Sequence, residues 1–122
     1  MQDLTVDEII AAHDRTIARE GGDSRVLSEA NLLQVVFQAN LVADPVVRAA
    51  TVLFSLVAYP SFREGNEMTA MDIALQVLAA GGWEIDPADT ASLEELSRAV
   101  TRFEADVPEV EAWFVSHARK KL

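Results

Sequence analysis

Apolar residues recur at the three- and four-residue spacing of an α-helix along most of the chain, and the alternating pattern of β-strands is nearly absent. A first helix is predicted to begin after Thr5, whose hydroxyl can form a reciprocal capping box with Glu8. It is predicted to end at the Gly21-Gly22 pair. Its apolar face consists of Ile9, Ile10, His13 and Ile17.

Two further helices follow, and the second of them is unusually apolar. One is predicted over residues 28–42, with a buried side made of Leu32, Leu33, Val36 and Phe37. The next spans about residues 45–58, with Asp44 as its cap and Pro45 at its first position. Because this helix is apolar on nearly all sides, other elements must cover it. It is therefore predicted to be the central helix, and Tyr59-Pro60 end it.

The second half of the chain predicts three more helices, over about residues 67–80, over 91–105 and from Pro108 onward. Their inner sides are predicted to be Met71, Ala74, Leu75 and Leu78 in the fourth helix, and Val110, Trp113, Phe114 and His117 in the sixth. Six short helices with short connections predict an all-α fold, a compact six-helix bundle that forms a single domain over residues 1–122.

Composition excludes several classes of function. The formal net charge is -10, which argues against a nucleic-acid or anionic-membrane surface. The basic run over residues 117–121 is interpreted as the solvated C-terminus of the last helix. The chain has no cysteine and shows no signal-peptide or membrane-spanning pattern, so a cytoplasmic protein is expected. The oligomeric state is left open.

The stretch "YPSFREGNEMTA", residues 59–70, separates two apolar helices with a turn, a Gly-Asn pair and two acids. A helix N-terminus presents unpaired N–H groups that can bind a phosphate, and Gly65 and Asn66 stand at that position. Glu64 could hold a Mg²⁺ ion beside the phosphate. The same residues also fit a plain helix start, with Asn66 as the N-cap and Glu67 in the first turn.

The order of these elements resembles the Fic/Doc family. The family motif H-x-F-x-[D/E]-G-N-[K/G]-R-[T/S] would read here as "PSFREGNEMT", residues 60–69. Residues 4–14, followed by Gly21-Gly22, are similar to the start of the Doc (death-on-curing) toxins. The resemblance covers roughly residues 4–83 and implies a six-helix Fic fold.

The resemblance also implies a chemistry for the motif. Most members transfer AMP to protein hydroxyls, whereas Doc toxins phosphorylate an elongation factor and are neutralised by a partner antitoxin. By position, Phe62 matches the residue that anchors the motif in the core, and Glu64 matches the Mg²⁺ ligand. Gly65 and Asn66 match the backbone that holds phosphates, and Thr69 matches the residue after the motif arginine.

Three departures from the motif predict that this chemistry is lost. Pro60 occupies the position of the histidine base, and removing a general base costs roughly 10²–10⁴ in rate. Met68 replaces the arginine that contacts phosphate, and Glu67 brings a negative charge to the same phosphate site. Tyr59 is a poor substitute base because its phenol is protonated at neutral pH. An active AMP- or phosphotransferase is therefore not expected.

Two functions remain open from the sequence. One is a Doc-like protein with a disabled motif that acts by binding a protein partner, such as an antitoxin-like protein, and needs no cofactor. The alternative is a residual Mg-ATP-dependent transferase that uses Glu64, Gly65 and Asn66. His13 is interpreted as a partly buried, hydrogen-bonded residue, and the histidine spacing predicts no metal site. Residues 16–21 match the family's inhibitory pattern [S/T]-x-x-x-E-[G/N], and we interpret the match as coincidence.

Overall fold

The computed structural model describes residues 2–122, and within them the chain forms six α-helices and a small antiparallel sheet. The helices are α1 (Val6–Glu20), α2 (Glu29–Asn40), α3 (Pro45–Ala58), α4 (Asn66–Ala80), α5 (Thr90–Thr101) and α6 (Val107–His117), and the strands are β1 (Trp83–Ile85) and β2 (Ala118–Lys120). The predicted all-α class is confirmed. No helix within residues 2–122 is long and apolar enough to cross a membrane.

Side-chain caps determine where most of these helices begin. The predicted capping box is present at α1, because Thr5 Oγ1 accepts from the Glu8 N–H at 3.2 Å and Glu8 Oε1 accepts from the Thr5 N–H at 3.1 Å. Asp44 Oδ1 accepts from the Val46 N–H at 2.8 Å at the start of α3. In contrast, α4 begins after Gly65 without a side-chain cap, so the interpretation of Asn66 as its N-cap is wrong.

The apolar helix α3 lies at the centre, as predicted, with α2, α4, α5 and α6 packed around it. Its residues Val52, Leu53 and Leu56 are fully buried in the core. Arg48 is also buried, and its guanidinium donates to Val42 O at 2.8 Å and to Gln2 O at 3.1 Å. The buried charge is thus accommodated because the guanidinium forms hydrogen bonds with two backbone carbonyl oxygens of neighbouring segments.

The predicted buried face of α2 is wrong in part. Leu33 and Phe37 are 61% and 60% exposed, whereas Leu32 is buried as predicted. The buried face is instead completed by Val35 and Ala39. Because α2 carries apolar residues on two faces, spacing alone does not identify the face that contacts α3. A smaller error of the same kind occurs in α4, where Leu75 is 37% exposed.

The interpretation of residues 117–121 as a helix C-terminus is also wrong. The helix α6 ends at His117, and the next three residues form β2, which pairs antiparallel with β1. Arg119 donates to Glu84 at 2.9 Å and to Asp86 at 3.1 Å, and the ammonium of Lys120 lies 4.9 Å from the Trp83 ring. These cross-strand contacts explain why basic residues leave the helix.

Candidate functional site

The loop that carries the resemblance, residues 59–65, is held by the connection between α1 and α2. Val26 and Phe62 form an isolated antiparallel bridge. The Leu27 N–H donates to Ser61 O at 2.7 Å, and the Arg63 N–H donates to Arg25 O at 3.1 Å. Two segments that are far apart in sequence therefore fix each other's backbone at the start of α4.

Phe62 and His13 form the buried base of this loop. Each is 1% exposed, and their rings stack with a centroid distance of 3.6 Å and an interplanar angle of 5°. The His13 Nε2–H group donates to Glu64 O at 2.7 Å, since a carbonyl oxygen can only accept. His13 is therefore a hydrogen-bonded residue, as predicted, and it is more deeply buried than expected. It links α1 to the loop two residues before α4.

Gly65 and Asn66 have structural tasks in the loop. Gly65 adopts a φ of 80°, and a Cβ at this position would lie 3.3 Å from Ile17 and 3.5 Å from His13 Nε2. Glycine is therefore needed both for its conformation and for the close approach to α1. The Asn66 side chain accepts from the Phe62 N–H at 3.1 Å and donates to Phe62 O at 2.8 Å. Both of its polar atoms are engaged within the chain.

The carboxylate of Glu64 points back toward the connection after α1. Its Oε2 accepts from the Asp23 N–H at 2.5 Å, and it occupies the space that a side chain at position 22 would need. Gly22, with a φ of 114°, leaves that space free. The proposed metal ligand therefore already has a hydrogen-bond donor from the chain itself.

An open cleft of about 400 Å³ lies at the N-terminus of α4, and we call it the α4 cleft. It is lined by Val57, Pro60, Arg63, Glu64, Gly65, Asn66, Glu67, Met68 and Thr101. The cleft thus gathers Pro60, Glu64, Gly65, Asn66, Glu67 and Met68 of the sequence-predicted site, whereas Phe62 lies beneath it in the core. The Glu67 carboxylate accepts from Thr101 Oγ1 at 3.0 Å, which ties α4 to the end of α5.

A surface ion network flanks the α4 cleft. Asp23 pairs with Arg25 at 2.6 Å and with Arg63 at 3.5 Å. The hydrogen bond from Arg25, helped by the charge of Arg63, lowers the pKa of the Asp23 carboxyl from its usual 3.8 to about 2. Arg63, the basic residue among those lining the cleft, is therefore already close to an acid.

The side chains that line the α4 cleft are more acidic than basic. Two carboxylates, Glu64 and Glu67, line the cleft against the single arginine Arg63. Without a bound cation, this balance of charge would repel anionic phosphates, which is opposite to the usual phosphate site. Within residues 2–122, no group of three or more His, Asp or Glu side chains is arranged to hold a metal ion. Pro60 offers only its carbonyl, which accepts from the Asn31 amide at 3.0 Å.

Sequence reasoning missed the residues that hold the loop from outside it. Asp23, Arg25, Asn31 and Thr101 lie in segments without a recognisable motif, and their contacts with residues 60–67 span between 29 and 41 positions of sequence. No local pattern could have found them. In the segment that matches the inhibitory pattern, the exposed Glu20 side chain pairs with Arg19 at 3.2 Å on the surface.

No protein-family model matches the chain, and no curated protein matches it significantly in sequence.

Proposed function

We propose that the chain is a Fic/Doc-like protein without transferase activity, which acts by binding a protein partner. In this proposal residues 59–66 keep the shape of the family loop and have lost its chemistry. The partner is an antitoxin-like protein of the cytoplasm, by analogy with the Doc toxins. The loop roles of Phe62, Glu64, Gly65 and Asn66 that the resemblance implies are part of the proposal.

The charge of the α4 cleft is the observation that carries the proposal. Glu67 stands at the first turn of α4, where a phosphate-binding protein needs a neutral or basic residue. Its carboxylate is held by Thr101, so it stays beside the helix N-terminus and complements the positive end of the dipole from within the chain. A negative charge fixed at this position disfavours a second anion, such as a nucleotide phosphate, at the same helix N-terminus.

An exposed aromatic residue close in sequence to the cleft residue Thr101 supports a protein as the ligand. Phe103 lies two residues beyond Thr101, is 91% exposed and has a φ of 60°. The backbone closes the end of α5 around it, with the Glu104 N–H donating to Ala99 O at 2.8 Å. An exposed aromatic residue in a conformation that favours glycine costs stability, and such residues occur at recognition sites. We assign Phe103 to the partner-binding surface.

The test measures nucleotide binding before and after the motif is restored. We expect no heat of binding when Mg-ATP is titrated into the wild type. The variant carrying Pro60→His, Glu67→Lys and Met68→Arg should bind Mg-ATP with a Kd of about 1 mM or tighter, because the loop backbone is already in place.

The matched control carries Glu109→Lys and Ala112→Arg on α6, which add the same charge at residues that do not line the α4 cleft. This control should behave like the wild type. Binding of Mg-ATP by the wild type would favour the residual transferase over our proposal. If the restored variant folds and gains no binding over the control, the assignment of residues 60–69 to the Fic motif is wrong.

A further inference from the structure

Four large apolar side chains lie exposed together along α2. Val26, Leu33, Phe37 and Leu41 are 41%, 61%, 60% and 67% exposed. Val26 and Leu33 share a groove of about 280 Å³, and Leu33, Phe37 and Leu41 line another of about 760 Å³. We call these four residues the α2 patch. Its last three residues are spaced four apart, so they form one stripe along the helix.

Along Leu33, Phe37 and Leu41, the α2 patch lines a neutral groove on a strongly acidic chain. The net charge is -10 and a quarter of all residues are charged. Nevertheless, none of the residues lining the 760 Å³ groove is charged, and neither is any residue lining the 560 Å³ groove between α2 and α3. Within α2 the acid is Glu29, at the first position of the helix, and it lines the 280 Å³ groove beside Val26 and Leu33. The groove lined by Leu33, Phe37 and Leu41 therefore contains no charged side chain that would repel a second acidic molecule.

We propose that the α2 patch binds a second copy of this chain, with two α2 helices packed antiparallel around a twofold axis. Two molecules of charge -10 repel each other least where they meet without acids, and the groove lined by Leu33, Phe37 and Leu41 meets that condition in both copies. The occupant must be neutral and apolar to match it, and a second α2 patch has that chemistry. This proposal is independent of the function proposed above.

The spacing of the stripe suits a twofold contact. Phe37 stands at its middle, with Leu33 and Leu41 one turn away on either side. An axis beside Phe37 brings the two phenyl rings together and places Leu33 of one copy against Leu41 of the other. Rows of residues spaced four apart interdigitate when two helices cross at about -50°. Phe37 is therefore the residue at the centre of the interface.

The size of the surface sets the affinity that we expect. The α2 patch exposes about 400 Å² of apolar side chain, within the range of patches that serve interactions. Together with the neutral polar residues beside it, two copies would bury about 1,000 Å², which is the low end for specific interfaces. We therefore expect a reversible dimer with a Kd of roughly micromolar order.

Sedimentation velocity tests the proposal on the full chain, over about 1 to 300 µM protein at about 0.15 M salt. The wild type should convert from monomer to dimer in this range. Raising the salt should favour the dimer, because it screens the repulsion between the acidic surfaces. Phe37→Glu should weaken dimerisation at least about 100-fold, because the symmetric contact receives the charge from both copies. Leu33→Glu should weaken it in the same direction.

The control is Val115→Glu, which adds the same charge to an apolar residue that is 66% exposed on α6. It should dimerise like the wild type. The variants replace exposed side chains, so their circular dichroism spectra should be unchanged. A wild type that stays monomeric across the range would overturn the proposal. So would a dimer that Phe37→Glu leaves intact, or one that Val115→Glu weakens as much as Phe37→Glu does.

Discussion

The α4 cleft and the α2 patch differ in what their side chains contact. Around the cleft, Asn66, Glu64 and Glu67 each have a partner within the chain, on Phe62, Asp23 and Thr101. The α2 patch is apolar, and its four residues are between 41% and 67% exposed. The side chains of the motif are thus engaged in contacts within the chain, whereas the α2 patch, which carries no motif, exposes apolar surface that a partner could cover.

This difference separates a resemblance in sequence from the capacity to bind. The residues of a phosphate site bind phosphate well when their polar atoms already point toward the position of the ligand and have no other partner. In this chain the side chains of Glu64, Asn66 and Glu67 instead contact other parts of the chain. In contrast, covering exposed apolar area is favourable by about 25 cal/mol per Å². We therefore expect binding to proteins to be favoured over binding to nucleotides.

The largest effect is expected from Phe62→Ala. This side chain is 1% exposed and stacks on His13, so its removal leaves a cavity beneath the loop and should lower the free energy of unfolding by about 3–5 kcal/mol. Urea denaturation measures the change. Phe37→Ala makes the same chemical change at a residue that is 60% exposed. At a concentration where the chain is monomeric, it should change stability by less than about 0.5 kcal/mol.

Equal losses of unfolding free energy in Phe62→Ala and Phe37→Ala would contradict the contrast between the two regions. They would mean that the α2 patch contributes to the core of the monomer. A loss of less than about 1 kcal/mol for Phe62→Ala would mean that the loop does not depend on its buried aromatic residue. A wild type of ordinary stability, about 5–15 kcal/mol, can accommodate the larger loss and still give a measurable transition.

The helices could be predicted from sequence because their signals are local. The capping box at Thr5, the Asp44-Pro45 start and the glycines after α1 each act within one or two turns of the chain. The buried face of each helix was harder to predict. Residues Leu33 and Phe37 have the same character and spacing as core residues, and only the position of α3 determines that Val35 and Ala39 are buried instead.

The candidate site could be predicted as a group of residues but not as an arrangement. Six of the predicted residues line one cleft because they are neighbours in sequence. What their side chains contact depends on pairing with residues 23–28, which no spacing rule predicts. The two short strands were missed for a similar reason, since each has three residues and is stable only through its partner.

A smaller effect of opposite sign is expected from Phe103→Gly. Phe103 is the non-glycine residue with a positive φ among residues 2–122, and it is 91% exposed. Glycine relieves the strain without loss of packing, so stability should rise by about 1 kcal/mol in thermal or urea unfolding. Phe103→Ala keeps a Cβ at the same φ and should gain little. Equal gains from both would mean that strain is not the cause.

The smallest effect is expected from the ion network beside the cleft. The pKa of Asp23 is lowered to about 2 in the folded chain, so in the unfolded chain the carboxyl binds a proton first as the pH falls. Its contribution to stability is therefore complete above about pH 4 and is lost as the pH falls toward about 2. The melting temperatures of the wild type and Asp23→Asn should differ at neutral pH and converge over that interval. Because Asp23→Asn keeps the N–H that donates to Glu64, the difference reports the carboxylate alone. If the Asp23 carboxyl titrates near 3.8 by NMR, its ion pairs with Arg25 and Arg63 do not persist in solution. This part of the site would then be held less firmly than the loop around Asn66.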